Sequence, residues 1–289
     1  MHARTILSGK LFTALFIGIF FVGTAFITGC KKSDTITDAG QTTTASDDAA
    51  DAVDAVSDAL ASNNGGAMDQ VNDVFEIAGG TGVGGGAGVN MLAKSYSDSI
   101  SLKFNTSDTS WSLYIYRDKG ITAWWSRSYK HQFIGPSGKA QAARVGAVLI
   151  KHQLLTGTGH FQTLRLIHDL TGISNNWTAS INADTTVTIN GTYSRAGRDS
   201  VILGTRKGTL MTNELSMTFT DVKGPRGLRR NRSAATSGTI TGTYSATITV
   251  SGKAPYTVTK TFTIILGGGN AAITIDGTKF TADLATGDH

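Results

Sequence analysis

Ser237–Thr249 reads SGTITGTYSATIT, with Thr or Ser at 239, 241, 243, 245, 247 and 249 and Ile240, Tyr244, Ala246 and Ile248 between them. A helix scatters such a pattern around its axis, whereas a strand sends alternate residues to opposite faces. The segment is therefore a half-buried strand with a hydroxyl face and an apolar face. The same period of two, rich in Thr, Val, Ile and Tyr, runs from Ser97 to Leu284. It predicts strands near 98–104, 110–117, 121–130, 143–154, 160–168, 176–182, 185–190, 192–196, 199–204, 208–220, 237–249, 256–266, 270–275 and 278–284.

Asn190-Gly191 and Asp276-Gly277 read as two-residue hairpin turns, with Asp118-Lys119-Gly120 and Thr156-Gly157-Thr158-Gly159 as further turn signals. All three prolines (Pro136, Pro225, Pro255) fall in predicted loops. Sequential strands on short turns predict a mainly β chain, an antiparallel meander forming a sandwich or an open or closed barrel over residues 97–289. An echo links Thr186–Ser194 with Ser237–Ser245, both ending Gly-Thr-Tyr-Ser, but two copies make no repeat array. Strands as polar as Thr239–Thr249 do not suit the lipid face of an outer-membrane barrel.

One or two short amphipathic helices precede the strands, in an acidic leader at 46–78. Ala49, Val53, Val56 and Leu60 repeat at helical spacing, opposite a stripe of Asp47, Asp51, Asp54 and Asp58, with Ser46 placed to cap. Ala67–Ala78 sets Met68, Val71, Val74, Phe75 and Ala78 on one face. Both apolar stripes are expected to dock on the β-domain. A straight helix face lacks the rigid loop that calcium needs, so the aspartate stripe is read as solvated or as facing basic residues of the β-domain. Residues 79–96 form a Gly-rich hinge; Gly79–Gly88 (GGTGVGGGAG) has no following Lys-Ser/Thr and no preceding strand, so it is no phosphate loop.

Before the leader, Arg4 and Lys10 precede the apolar run Leu11–Thr28, which ends Ile27-Thr28-Gly29-Cys30. This end resembles the lipobox of bacterial lipoproteins. The resemblance implies a signal peptide over 1–29, diacylation (palmitate) of the Cys30 thiol, and acylation of the new amino terminus. It places the chain in the bacterial envelope, anchored to a membrane through Cys30. Lys31, rather than aspartate, follows the cysteine and favours the outer membrane. Cys30 is the single cysteine, so nothing remains for a disulfide, a thiol nucleophile or a thiolate metal ligand. Residues 30–45, polar and aperiodic, read as a lipidated flexible tether.

Charge splits the remainder: residues 31–80 carry a net −8 and residues 81–289 a net +11. Signatures for catalysis are missing: Gly-x-Ser-x-Gly, Ser-x-x-Lys and His-Glu-x-x-His do not occur, and Glu76 and Glu214 are the only glutamates. The reading is no enzyme and no cofactor. His160 and His168, eight residues apart on one expected strand, would lie roughly 26 Å apart, too far to share a metal. A hairpin at Gly157-Thr158 would set His152 opposite Thr163.

Two features point to ligands. Lys223–Arg232 (KGPRGLRRNR) gathers Arg226, Arg229, Arg230 and Arg232 in one loop, suited to anionic lipid or glycan. For an exported chain, nucleic acid is not expected. The aromatic stretch from Trp111 to Phe133 includes Trp124, Trp125, Arg127 and Tyr129, suited to sugar or lipid unless the leader helices cover it. The expected role is non-enzymatic binding or structure. The alternative is a periplasmic lipid or lipoprotein carrier, because a helix before a curved meander resembles the lipoprotein-localisation factors, whose half-open barrels hold acyl chains.

Overall fold

One antiparallel sheet carries the fold, and alternation along each strand decides which side it buries. The computed structural model describes residues 35–38, 41–80, 98–203, 207–227 and 235–289, which lie in one compact unit. The expectations for residues 1–34, Cys30 included, and for most of the hinge fall outside the described residues.

β1 (Thr35–Asp38) and β2 (Gln41–Thr44) pair as a short hairpin within the segment read as a tether. Helices α1 (Ala45–Leu60) and α2 (Ala67–Ala78) follow. The meander then runs β3 (Ser99–Asn105), β4 (Ser110–Asp118), β5 (Ala123–Ile134), β7 (Leu149–Gln162), β8 (Leu166–Ile181), β9 (Thr186–Val201), β10 (Leu210–Pro225), β11 (Ser237–Thr249), β12 (Tyr256–Gly267), β13 (Asn270–Ile275) and β14 (Thr278–Asp283). A two-residue β6 (Ala140–Gln141) adds to β5, completing a 12-stranded sheet. Of the architectures left open by sequence, this is the open sheet. β3 and β14 are its edges; both are short and carry Lys103 and Lys279, features that discourage pairing with another chain.

α1 and α2 pack on the buried face. Ala52, Val53, Val56 and Leu60 of α1 are enclosed, and every residue of α2 except Asn72 is buried. α1 contacts β12, β13 and β14, and α2 contacts β9. Gly224 is required for this fit, since a Cβ there would lie 2.3 Å from the Phe75 ring.

The structure corrects three expectations. Asp276-Gly277 turns as expected, with φ of +47° and +85°, but Asn190-Gly191 lies within the continuous strand β9. A turn there would set Val187 against Ser194 and Ile189 against Thr192. Continuing straight keeps Val187, Ile189 and Tyr193 on the buried face. Gly191 sits between Trp177 of β8 and Phe219 of β10, and the missing side chain lets those rings approach to 4.9 Å between centroids. Thr156–Gly159 is likewise no turn: Leu155 bulges out of β7, which switches the alternation. The expected strand 160–168 instead turns at Thr163–Arg165, so His160 and His168 lie on neighbouring strands. His152 faces His131 and Trp177, not Thr163.

At Gly191, φ is +138° and a Cβ would lie 2.2 Å from the Asn176 carbonyl oxygen. Gly191→Ala should destabilise by about 2–4 kcal/mol. Gly267→Ala, where a Cβ meets nothing within 4 Å, should stay within about 0.5 kcal/mol. Urea unfolding of the two variants checks this, and equal midpoints would refute the role given to Gly191.

Candidate functional site: the filled interior and the aromatic hairpin

A helix buried all round has nowhere to hide its polar residues, and α2 carries Asp69, Gln70, Asp73 and Glu76 at 3% exposure or less. The sheet supplies partners. Arg117 of β4 donates to Asp69 (2.5 Å) and to both carboxylate oxygens of Asp73 (2.8 and 3.2 Å), with Asp98 3.8 Å from its Nε. Arg127 of β5 donates to Asp69 (3.1 Å), to the Gly65 carbonyl and to the Tyr129 hydroxyl (3.4 Å). Asn175 of β8 donates to Gln70 at 2.7 Å. Burial pulls the Arg117 guanidinium down, but Asp69 and Asp73 outweigh it and hold it well above its usual value. Burial pushes the Tyr129 phenol up.

Asp51, Asp54 and Asp58 of the α1 aspartate stripe also face the protein. Asp51 and Asp54 pair with Arg165 in the β7–β8 turn, and Asp48 accepts from the Tyr256 hydroxyl at 3.1 Å. Asp58 lies in a buried group with Arg195, Asp199 and Asn64. Asp199 accepts from Asn213 and meets Nδ1 of His168. Burial raises both Asp58 and Asp199 to about 7 and lowers His168 to about 2.

His131 and His152 form a buried cross-strand pair, Nδ1 to Nδ1 at 3.2 Å, with His152 stacked on Trp177. One ring must donate and the other accept, so the accepting ring is neutral. Burial pushes His131 down to about 4, and burial with His131 beside it pushes His152 well below its usual value. Among the described residues, no group of three or more His, Cys, Asp or Glu is arranged for a metal. A cavity of about 10 Å³ opens by the α1–α2 turn. Of its lining, Trp125 Nε1, Arg127 Nε, His168 Nε2 and Tyr193 Oη have no hydrogen-bond partner among the described residues. That is room for about one water with several polar neighbours.

The structure divides the sequence-derived ligand residues. Trp125, Arg127 and Tyr129 are all buried; Trp125 and Arg127 lie under the α1–α2 turn, and the Trp125 ring fills the space where a side chain at Gly65 would stand. Trp124 points the other way and is 37% exposed. Arg226 is half-buried just after β10, its N–H on the Thr185 carbonyl, at the sheet end opposite the start of β5 where Trp124 stands. Arg229, Arg230 and Arg232 lie outside the described residues. The aromatic and basic clusters thus do not converge through Trp124 and Arg226. Sequence reasoning missed Asp69, Asp73, Arg117, Arg195, Asp199 and the His131–His152 pair as an interior network. The charge split between leader and body was its one signal.

Comparison with known proteins returns no matching family model, no matching curated protein and no matching solved structure.

Removing Arg117 leaves Asp69 and Asp73 buried with less compensation, so Arg117→Met should destabilise by about 3–5 kcal/mol in urea unfolding. The buried acids and histidines give opposite pH dependence. Asp58 and Asp199 rise from 3.8 to about 7 on folding. Their contribution is therefore complete below 3.8 and lost as pH rises through 7. His131 falls from 6.5 to about 4, so its contribution is complete above 6.5 and lost as pH falls through 4. Urea titrations at pH 5, 6.5 and 8 should show Asp199→Asn losing less stability than wild type as pH rises, by about 2–3 kcal/mol across that window. His131→Asn should lose less than wild type on acidification. Profiles parallel to wild type would refute the assignments.

Proposed function

We propose that the chain is a membrane-anchored envelope lipoprotein with a non-enzymatic binding role, held by lipid on Cys30 and recognising its ligand on the solvent face of the sheet. The observation that carries the second half of this reading is the filled interior. A lipid or lipoprotein carrier keeps an apolar cavity between helices and sheet for acyl chains. Here α1 and α2 occupy that side, with Phe75, Ile77, Val71 and Met68 packed to 2% exposure or less and Arg117 and Arg127 clamping the α2 carboxylates. Emptying it would strand those charges, which favours the anchored binding module over the carrier.

The lipobox resemblance at Ile27-Thr28-Gly29-Cys30 supports the anchor. Among the described residues no helix is long and apolar enough to cross a membrane. Two or more acyl chains on Cys30 would give stable attachment, since each buried methylene contributes about 0.8 kcal/mol.

Metabolic labelling with an alkyne analogue of palmitate, followed by membrane fractionation, tests the anchor. Wild type should be labelled and sediment with membranes, and Cys30→Ser should be unlabelled and released. Undiminished labelling of Cys30→Ser would sink the proposal.

A further inference from the structure

The solvent face of the sheet is hollowed. Over β4, β5, β7 and β8 it sinks into a depression of about 380 Å³, and over β8 to β12 into two more of about 460 and 560 Å³. Gly172 and Ile173 are common to the first and second, and Ser174, Ser194, Ser216 and Thr243 to the second and third. The three form one trough across eight strands, roughly 34 Å at ordinary strand spacing.

Its origin lies in the β7–β8 hairpin. The ladder pairs Leu154 with Asn175 and Gly159 with Leu170, and nothing between them. The Asn175 side chain takes the Leu154 N–H at 2.7 Å where the ladder stops. Register shifts flank the gap, at Leu155 against β5 and at Thr171 against β9. Bulges of this kind re-aim side chains and part strands. Gly157 keeps the floor open, because a Cβ there would lie 2.5 Å from the Ile173 side chain.

The lining chemistry selects a ligand. Hydroxyls lie side by side across strands, Ser126 with Thr158 at 3.0 Å and Ser174 with Ser194 at 2.8 Å, and each can donate and accept. Tyr114 stands in the first depression at 42% exposure. Trp124 precedes Ser126 by two residues on the same face of β5, so a second exposed ring adjoins the hydroxyl rows. Arg127 and Arg195 reach the trough from the buried side and are themselves buried, which leaves Glu214 as its one exposed charge among the described residues. A phosphate-bearing ligand would find no exposed cation there, and an acyl chain would meet hydroxyls along most of its length.

We propose that this trough binds a neutral saccharide chain, with Tyr114 and Trp124 offering ring faces to the sugars and the Ser/Thr rows pairing with their hydroxyls. The proposal rests on the reading of the chain as a binding module and names its ligand class. A site with few charges, many two-way hydroxyls and aromatic platforms matches a ligand that presents hydroxyls at its edges and C–H groups on its faces.

The test uses the purified full-length chain in detergent on an array of neutral oligosaccharides, with heparin and polysialic acid as acidic probes. At least one neutral glycan should bind with a Kd below about 1 mM. Tyr114→Ala and Trp124→Ala should each weaken it about five- to tenfold, and Thr158→Val should weaken it measurably. Thr257→Val, outside the trough, should not weaken it, and the urea midpoint confirms that each variant is folded. Binding to no neutral probe, equal binding to the acidic probes, or affinity indifferent to the trough variants would overturn the proposal. Cys30 labelling is read separately, so a trough that binds no sugar leaves the anchored lipoprotein standing.

Discussion

The buried carboxylates of α2 govern this architecture. One face of the twelve-stranded sheet is apolar along most of its strands, so something must cover it. The occupant is a leader helix bearing Asp69 and Asp73, which would be prohibitively costly to bury alone. Arg117 and Arg127, on adjacent strands, make burial tolerable, and Gly65, Gly224 and Gly79 let the backbone and rings close around the helix. The leader is therefore part of the core rather than an appendage. The opposed charges of leader and body belong to one folding unit.

How much of this was legible in sequence follows from what each pattern reports. Period-two alternation reports which face a strand buries, and it located most strands, while helical spacing of apolar residues located α2 residue for residue. Turn dipeptides report only local backbone freedom. At Asp276-Gly277 freedom and alternation agree, and the chain turns. At Asn190-Gly191 they conflict, and the chain obeys alternation because Trp177 and Phe219 need the vacated space. Parity across a candidate turn was thus the stronger evidence, and it was present in Val187, Ile189 and Tyr193 all along. The break at Leu155 had the opposite meaning, since there the parity changes through a bulge within one strand.

The interior site was less legible for a different reason. Amphipathicity divides a helix into an apolar and a polar side and assigns the polar one to water by default. For α1 and α2 that default fails, because Arg117 and Arg127 lie on distant strands and Arg165 in a distant turn, and only the fold brings them to the helices. The His131–His152 contact is hidden in the same way: twenty-one residues apart, it depends on β5 and β7 being neighbours through a long connection. Net charge by segment was the one long-range quantity available, and it gave the sign of the interaction without its residues.

The strands serve two purposes because adjacent residues face opposite ways. Trp125 seals the helix turn while Trp124, beside it, meets solvent; Arg195 enters the acid cluster while Ser194 lines the trough. Burial of charge on one face makes the inner surface intolerant of movement. Recognition that required the helices to leave would have to separate several buried ion pairs at once. The outer face carries no such constraint. Its hydroxyls are solvated, most of its trough-lining side chains are Ser, Thr or Gly, and the parted β7–β8 ladder gives it relief without disturbing the packed side. A sheet that commits one face to cohesion leaves only the other open to solvent, and in this chain that other face is the one the sequence made of threonine and serine.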